Sequence, residues 1–158
     1  MTAEQRLDRL ESIESAREAL ARYADACDAQ DLDAVCDLFT GDAVLEVPGH
    51  LYTGGDQVRH FYREAWQEDP SQKSHFITNV KTRWLGTGRV EVDSYFLYTA
   101  AGDASSVLGW GVYRDTVRTT DGVGRFEQKS IAIRRAVDVR QGWARSPELA
   151  APGDGPPA

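Results

Sequence analysis

Cysteine, histidine and basic charge are all scarce in this chain, and each scarcity closes a class of function. The only two cysteines, Cys27 and Cys36, fall at apolar helical positions and read as small core residues rather than as a disulfide. The three histidines, His50, His60 and His75, lack the close spacing of metal ligands. There is no paired-cysteine metal site, no glycine-rich phosphate loop and no nucleophile elbow, so neither metal nor cofactor is expected. Lysine and arginine total 18 against 25 acidic residues, giving a net charge of −7 and a pI near 4.9. That balance excludes a nucleic-acid or anionic-membrane partner, either of which calls for a basic face. No run of eighteen apolar residues occurs, so no membrane span is expected. Met1 to Arg6 lacks the apolar core of a signal peptide, and a cytoplasmic location is the expectation. No internal repeat is visible.

What is present suits one globular domain with its own core over residues 1–143. Residues 144–158, rich in Ala, Pro and Gly without periodicity, are expected to form a disordered tail. Leu7, Leu10, Ile13, Ala16, Leu20, Tyr23, Ala24 and Cys27 recur at steps of three and four and predict a helix over about residues 5–29. A short helix at about 31–39 follows, stopped by Thr40-Gly41-Asp42. Ala43 to Val47 reads as a strand ended by Pro48-Gly49, with His50 in that turn and a short strand at Leu51-Tyr52. Gly54-Gly55-Asp56 opens a third helix, with Val58, Phe61, Tyr62, Ala65 and Trp66 inward, His60 outward and Pro70 beyond its end. Strands are predicted at about 74–86, 89–100, 105–119 and 124–138, parted by turn-forming clusters at hairpin distances. Helices followed by an antiparallel meander give an α+β fold, with helices on one face of a curved sheet.

Two residues stand out as carriers of chemistry. On a helical wheel Asp28 falls at the border of the apolar stripe. There it either faces the space between helix and sheet, where a carboxylate needs a partner, or caps the turn into the next helix. His75 lies on a strand and by alternation shares a face with Ile77 and Asn79, opposite to Phe76, Thr78 and Val80. Alternation alone does not fix which of those faces meets the helices. Tyr23, Tyr52, Tyr98 and Trp110 belong to an aromatic-rich set that packs a core or lines a cavity for a planar ligand. Gly109 and Gly111, mid-strand, suggest a bend or bulge curving the sheet around such a cavity.

The order of elements and several loose motifs resemble the SnoaL-like branch of the nuclear-transport-factor-like superfamily over about residues 8–138. The motifs are Tyr23 to Asp33, Leu38 to Ala43, Ser74 to Asn79, and Gly111 to Asp115 followed by Asp121-Gly122. The resemblance implies a cone-shaped, curved antiparallel sheet with three N-terminal helices packed on its concave face. Scytalone dehydratase, hexachlorocyclohexane dehydrochlorinase and the bile-acid dehydratases share an aspartate matching Asp28 and a histidine matching His75. The bile-acid enzymes add a tyrosine matching Tyr23 and an arginine near Arg134. The chain departs from them too: Cys27 stands where scytalone dehydratase has a tyrosine, a second catalytic histidine is missing, and Tyr98 lies near where the bile-acid enzymes carry another acid.

The resemblance implies a cofactor-free lyase or isomerase acting on a small hydrophobic polyketide-, steroid- or aromatic-type substrate. His75 is the expected base, Asp28 its orienting carboxylate, and Tyr23 with Asn79 or Tyr98 the donors to developing charge. Tyr52, Trp110 and Arg134 are further expected substrate contacts. An aldol-type polyketide cyclase led by Asp28, a non-catalytic subunit like the dioxygenase beta subunits, and a plain binding protein are the alternatives. A homodimer through the outer sheet face is also expected, because Tyr95 to Tyr98 put large apolar groups on both faces of one strand.

Overall fold

The structure is a computed structural model, and it describes residues 1–140 apart from 87 and 104. The predicted tail at 144–158 lies outside the described residues. Helix α1 (Ala3–Asp28) is followed by α2 (Leu32–Asp37), strands β1 (Phe39–Val47) and β2 (His50–Thr53), and helix α3 (Gly55–Glu68). Four long strands complete the fold: β3 (Gln72–Gly86), β4 (Arg89–Ala101), β5 (Ser106–Thr120) and β6 (Val123–Asp138). They form one open, curved, six-stranded sheet in the order β2-β1-β6-β5-β4-β3, the α+β cone expected.

Helix α1 starts where a capping box dictates. The Gln5 N–H donates to Thr2 Oγ1 at 3.1 Å, and the Thr2 N–H donates to Gln5 Oε1 at 2.9 Å. The helix buries a stripe of small residues, Ser12, Ser15, Ala16 and Ala19, before Leu20 and Tyr23. Small side chains allow a close approach: Ser15 Oγ donates to the Gly122 carbonyl at 2.9 Å, and any Cβ on Gly124 would lie 2.5 Å from the Ser15 carbonyl oxygen. Leu7 and Leu10, expected inward, are exposed, because burial on this helix begins only at Ser12.

Helix α1 lies across β3 to β6, whereas α3 packs on β1 and β2. Between them sits a core of Leu20, Val35, Leu45, Val58, Val90, Val92, Val117 and Phe126. Phe39, expected to end the second helix, instead begins β1 and pairs with Phe126, whose N–H donates to the Leu38 carbonyl at 2.7 Å. Thr40-Gly41-Asp42 therefore belongs to a strand, at a register shift between Phe39 and Val44. His50 is the first residue of β2 rather than part of the turn, which Gly49 makes with φ +82°. The β1–β6 pair runs parallel, the one departure from an antiparallel sheet.

A second shift redirects β3. Its register with β4 slips between Thr78 and Lys81, and Asn79 adopts φ +53°. His75 and Ile77 face the helices, but Asn79 leaves that face and Val80 takes its place against the core. The simple alternation expected for this strand thus inverts after Ile77.

Candidate active site

β3 is an edge strand, so one row of its backbone N–H groups has no neighbouring strand to pair with. The C-terminal end of α1 covers part of that edge. Asp28, the last residue of the helix, accepts the His75 backbone N–H with both carboxylate oxygens, at 3.0 and 3.1 Å. Its Oδ1 also stands 2.6 Å from His75 Nδ1. The capping role falls instead to Asp31, which accepts from the Ala34 N–H at 2.9 Å at the start of α2. A carboxylate can only accept, so the contact fixes the tautomer with its proton on Nδ1 and leaves the Nε2 lone pair free.

His75 lines a cavity of about 730 Å³ between α1, α3 and the inner face of the sheet. Tyr23 and Cys27 come from α1, Phe61, Tyr62 and Trp66 from α3, and Phe96, Tyr98 and Tyr113 from β4 and β5. Polar residues Asp69, Ser71, Asp103 and Ser105 lie at the α3–β3 and β4–β5 connections, and Lys73 near the start of β3. The Lys73 ammonium is held there by Asp69 at 2.8 Å. Tyr23 and Tyr62 meet hydroxyl to hydroxyl, with Tyr62 donating at 3.0 Å, and burial holds both phenols well above their ordinary pKa. Burial likewise pushes the Cys27 thiol up to about 12, so it stays protonated and unreactive.

An ion pair that no sequence pattern announced lies beneath this cavity. Lys129 Nζ lies 2.9 Å from Asp115 Oδ2, and both side chains are sealed from solvent. The ammonium also sits 3.9, 4.1 and 4.4 Å from the ring centroids of Tyr113, Tyr23 and Phe126, an aromatic cage. Burial raises the Asp115 carboxyl to about 6, against the opposing pull of Lys129, and lowers the Lys129 ammonium.

Of the residues expected at the site, the structure brings Asp28, His75, Tyr23 and Tyr98 together and leaves four elsewhere. Asn79 is exposed beside the bulge, in a separate hollow of about 200 Å³ shared with Lys81, Tyr95 and Arg114. Trp110 pairs with Leu97 on the opposite sheet face. Tyr52 packs against Phe61 at 5.0 Å between ring centroids and does not line the cavity. Arg134 is exposed at the register shift between β5 and β6; the cation directed inward from β6 is Lys129. Among the described residues no three His, Cys, Asp or Glu side chains converge as a metal site requires.

This architecture, a curved sheet clasping helices around a cavity with an aspartate–histidine pair, marks a family. The sequence profile of the SnoaL-like domain matches residues 8–128, and the chain belongs to that family. A Novosphingobium aromaticivorans protein provisionally designated a scytalone dehydratase is 19% identical, with TM-score 0.72 over 87% of this chain and 91% of its own. A hexachlorocyclohexane dehydrochlorinase from Novosphingobium barchaimii is 18% identical, with TM-score 0.73 over 84% and 92%. A Mycobacterium tuberculosis protein of unknown function is 22% identical, with TM-score 0.69 over 87% and 82%. At these identities the likeness is one of fold. No curated protein matches the chain.

Proposed function

We propose that the protein is a cofactor-independent lyase or isomerase of dehydratase type, acting on a small hydrophobic polyketide-, steroid- or aromatic-type substrate. The observation that carries this reading is the 2.6 Å contact between Asp28 and His75 at the wall of a largely aromatic cavity. His75 Nε2 takes a proton from the carbon alpha to a carbonyl. Asp28 holds the ring and balances the imidazolium that forms. The electron pair moves toward the carbonyl oxygen, where the Tyr98 hydroxyl, or Tyr23 at the inner end, donates to the enolate. Collapse of the enolate expels a beta hydroxyl, which leaves as water with a proton returned from the imidazolium. Reprotonation at another carbon gives isomerisation with the same groups.

The geometry favours His75 over Asp28 as the proton carrier. Both Asp28 oxygens already accept hydrogen bonds from His75, so the carboxylate is occupied as an orienting group. That weighs against an aldol-type cyclase led by the aspartate.

The test needs no known substrate. Cyclic ketones incubated with the protein in heavy water should gain deuterium at the alpha carbon, read by mass spectrometry, and His75→Ala should abolish the gain. Exchange equal to buffer across the panel, or unchanged in His75→Ala, would overturn the reading.

The proposal includes a homodimer through the outer sheet face. Phe76, Leu97 and Trp110 form a cross-strand row there, with Phe76 and Leu97 exposed. It also places the protein in the cytoplasm; among the described residues no helix is long and apolar enough to cross a membrane.

A further inference from the structure

The cavity floor is built over glycine. Tyr98 lies opposite Gly109 across the β4–β5 ladder, and Phe96 lies opposite Gly111. A Cβ on Gly109 would stand 2.3 Å from Tyr98 Cε1, and one on Gly111 would stand 2.6 Å from Phe96 Cζ. Both rings therefore lie down over bare backbone of β5 instead of standing up from the sheet. The consequence is a run of near-parallel rings that is open to the cavity at His75 and Tyr98 and closed at Phe96, which is 3% exposed beneath Tyr113. His75 stacks on Tyr98 at 28° and 5.9 Å, Tyr98 on Phe96 at 29° and 6.3 Å, and Phe96 on Tyr113 at 16° and 4.2 Å. Phe61 and Trp66 of α3 also line this cavity, so it has aromatic groups from helix as well as sheet. The Tyr98 hydroxyl has no hydrogen-bond partner among the described residues.

We propose that Gly109 is a positioning residue that sets substrate selectivity, and that the substrate is a flat, fused-ring compound lying face-on against the His75–Tyr98 strip. This rests on reading the cavity as the substrate site, and deepens it by naming the shape the site takes. Near-parallel rings reward a second flat π surface at stacking distance, whereas a puckered saturated ring touches such a strip only at its axial hydrogens. Gly109 acts through Tyr98: with any side chain at this position the phenol ring could not stay level with the imidazole. Gly111 shapes the same floor, but a Cβ there would also meet the Ala132 carbonyl oxygen at 2.2 Å and disturb the backbone. At Gly109 the three nearest atoms all belong to the Tyr98 side chain, which makes it the cleaner position to test.

The experiment is calorimetric binding of naphthol and of its saturated counterpart decahydronaphthol to the full chain. The two share a carbon skeleton and a hydroxyl and differ in flatness. The wild type should bind naphthol ~10-fold more tightly, the scale of one or two stacked contacts. Gly109→Ala, which lifts the Tyr98 ring into the cavity, should erase that preference while decahydronaphthol binding changes little. The ratio of affinities is the readout, because a loss of general stability weakens both ligands together. Should Gly109→Ala fail to fold, Tyr98→Leu removes the flat ring at similar bulk and should erase the preference too. Equal affinities in the wild type, or an unchanged ratio in the folded variants, overturns the inference. Binding is read without turnover, so the inference and the proposed reaction fail separately. An intact preference with no deuterium exchange supports this inference and sinks only the reaction. Exchange without a preference sinks only this inference.

Discussion

Two carboxylates are paired inside this fold in contrasting ways, Asp28 with the imidazole of His75 and Asp115 with the ammonium of Lys129. Asp28 and His75 join the end of a helix to an edge strand, with side chains 29% and 14% exposed. Asp115 and Lys129 join two central strands, each 0% exposed. The first pair opens onto the cavity, holds a tautomer and presents a free ring nitrogen. The second is closed over by three aromatic rings and can neither receive nor release a proton to a ligand. Access, more than basicity, separates a pair that can do chemistry from one that shapes the field and the packing around it.

The comparison breaks most sharply at His75. His75→Ala should lower turnover ~10²–10⁴-fold, the range for removing a general base, with little change in unfolding midpoint. Asp28→Asn should cost nearly as much, since an amide can hold the ring but cannot balance the imidazolium. If Asp28→Asn were inactive and His75→Ala close to wild type, the carboxylate would be the proton carrier.

Lys129→Met should act on stability instead. It strands a buried carboxylate and should cost ~3–5 kcal/mol in urea unfolding, whereas Lys129→Met with Asp115→Leu should recover most of that loss. A double variant as unstable as the single one would show that the cage, not the charge, is what matters.

Acid sharpens the contrast. The folded Asp115 carboxyl titrates at about 6, above the ~3.9 of an unfolded aspartate, so its protonated form favours the fold. That contribution is fully present below about pH 4 and is lost as pH rises through about 6. Asp115→Asn should remove this slope from a stability profile taken across the same window.

Smaller effects are expected away from either pair. Tyr23→Phe deletes the hydroxyl that accepts from Tyr62 and should cost ~1 kcal/mol in activity or stability, well short of His75→Ala. Leu97→Asp, on the outer face, should leave both pairs and the cavity intact and turn a dimer into a monomer by light scattering. A wild type that is monomeric at working concentration would remove the dimer.

The sequence carried the helices and strands well, because periods of three to four and of two survive without knowledge of the partners. It carried Asp28 and His75 through a border position on a helix and a family motif. Part of what it missed came from single-residue slips. The bulge after Thr78 turned Asn79 outward, and the shift between Trp110 and Gly111 left Arg134 exposed. Another shift, between Thr116 and Val117 against β6, lies beside the position that brings Lys129 inward. A slip of one residue exchanges the two faces of a strand, and no local pattern announced these. The overhang of Leu7 and Leu10 and the parallel pairing of β1 with β6 depend on contacts far along the chain, which periodicity does not register.

The Asp28 carboxylate also has a bearing on how the sheet avoids growing from its open edge. An open strand edge is a template on which a second chain can grow a sheet, and fifteen-residue β3 is long enough to serve as one. By accepting the His75 N–H, Asp28 takes a donor such growth would need, and places a negative charge where an incoming carbonyl oxygen would have to approach. Trimming Asp28 to alanine would expose that donor along with disarming the imidazole. The residue that prepares the base thus also closes the β3 edge to strand addition, leaving the outer face as the place where the proposed second copy docks.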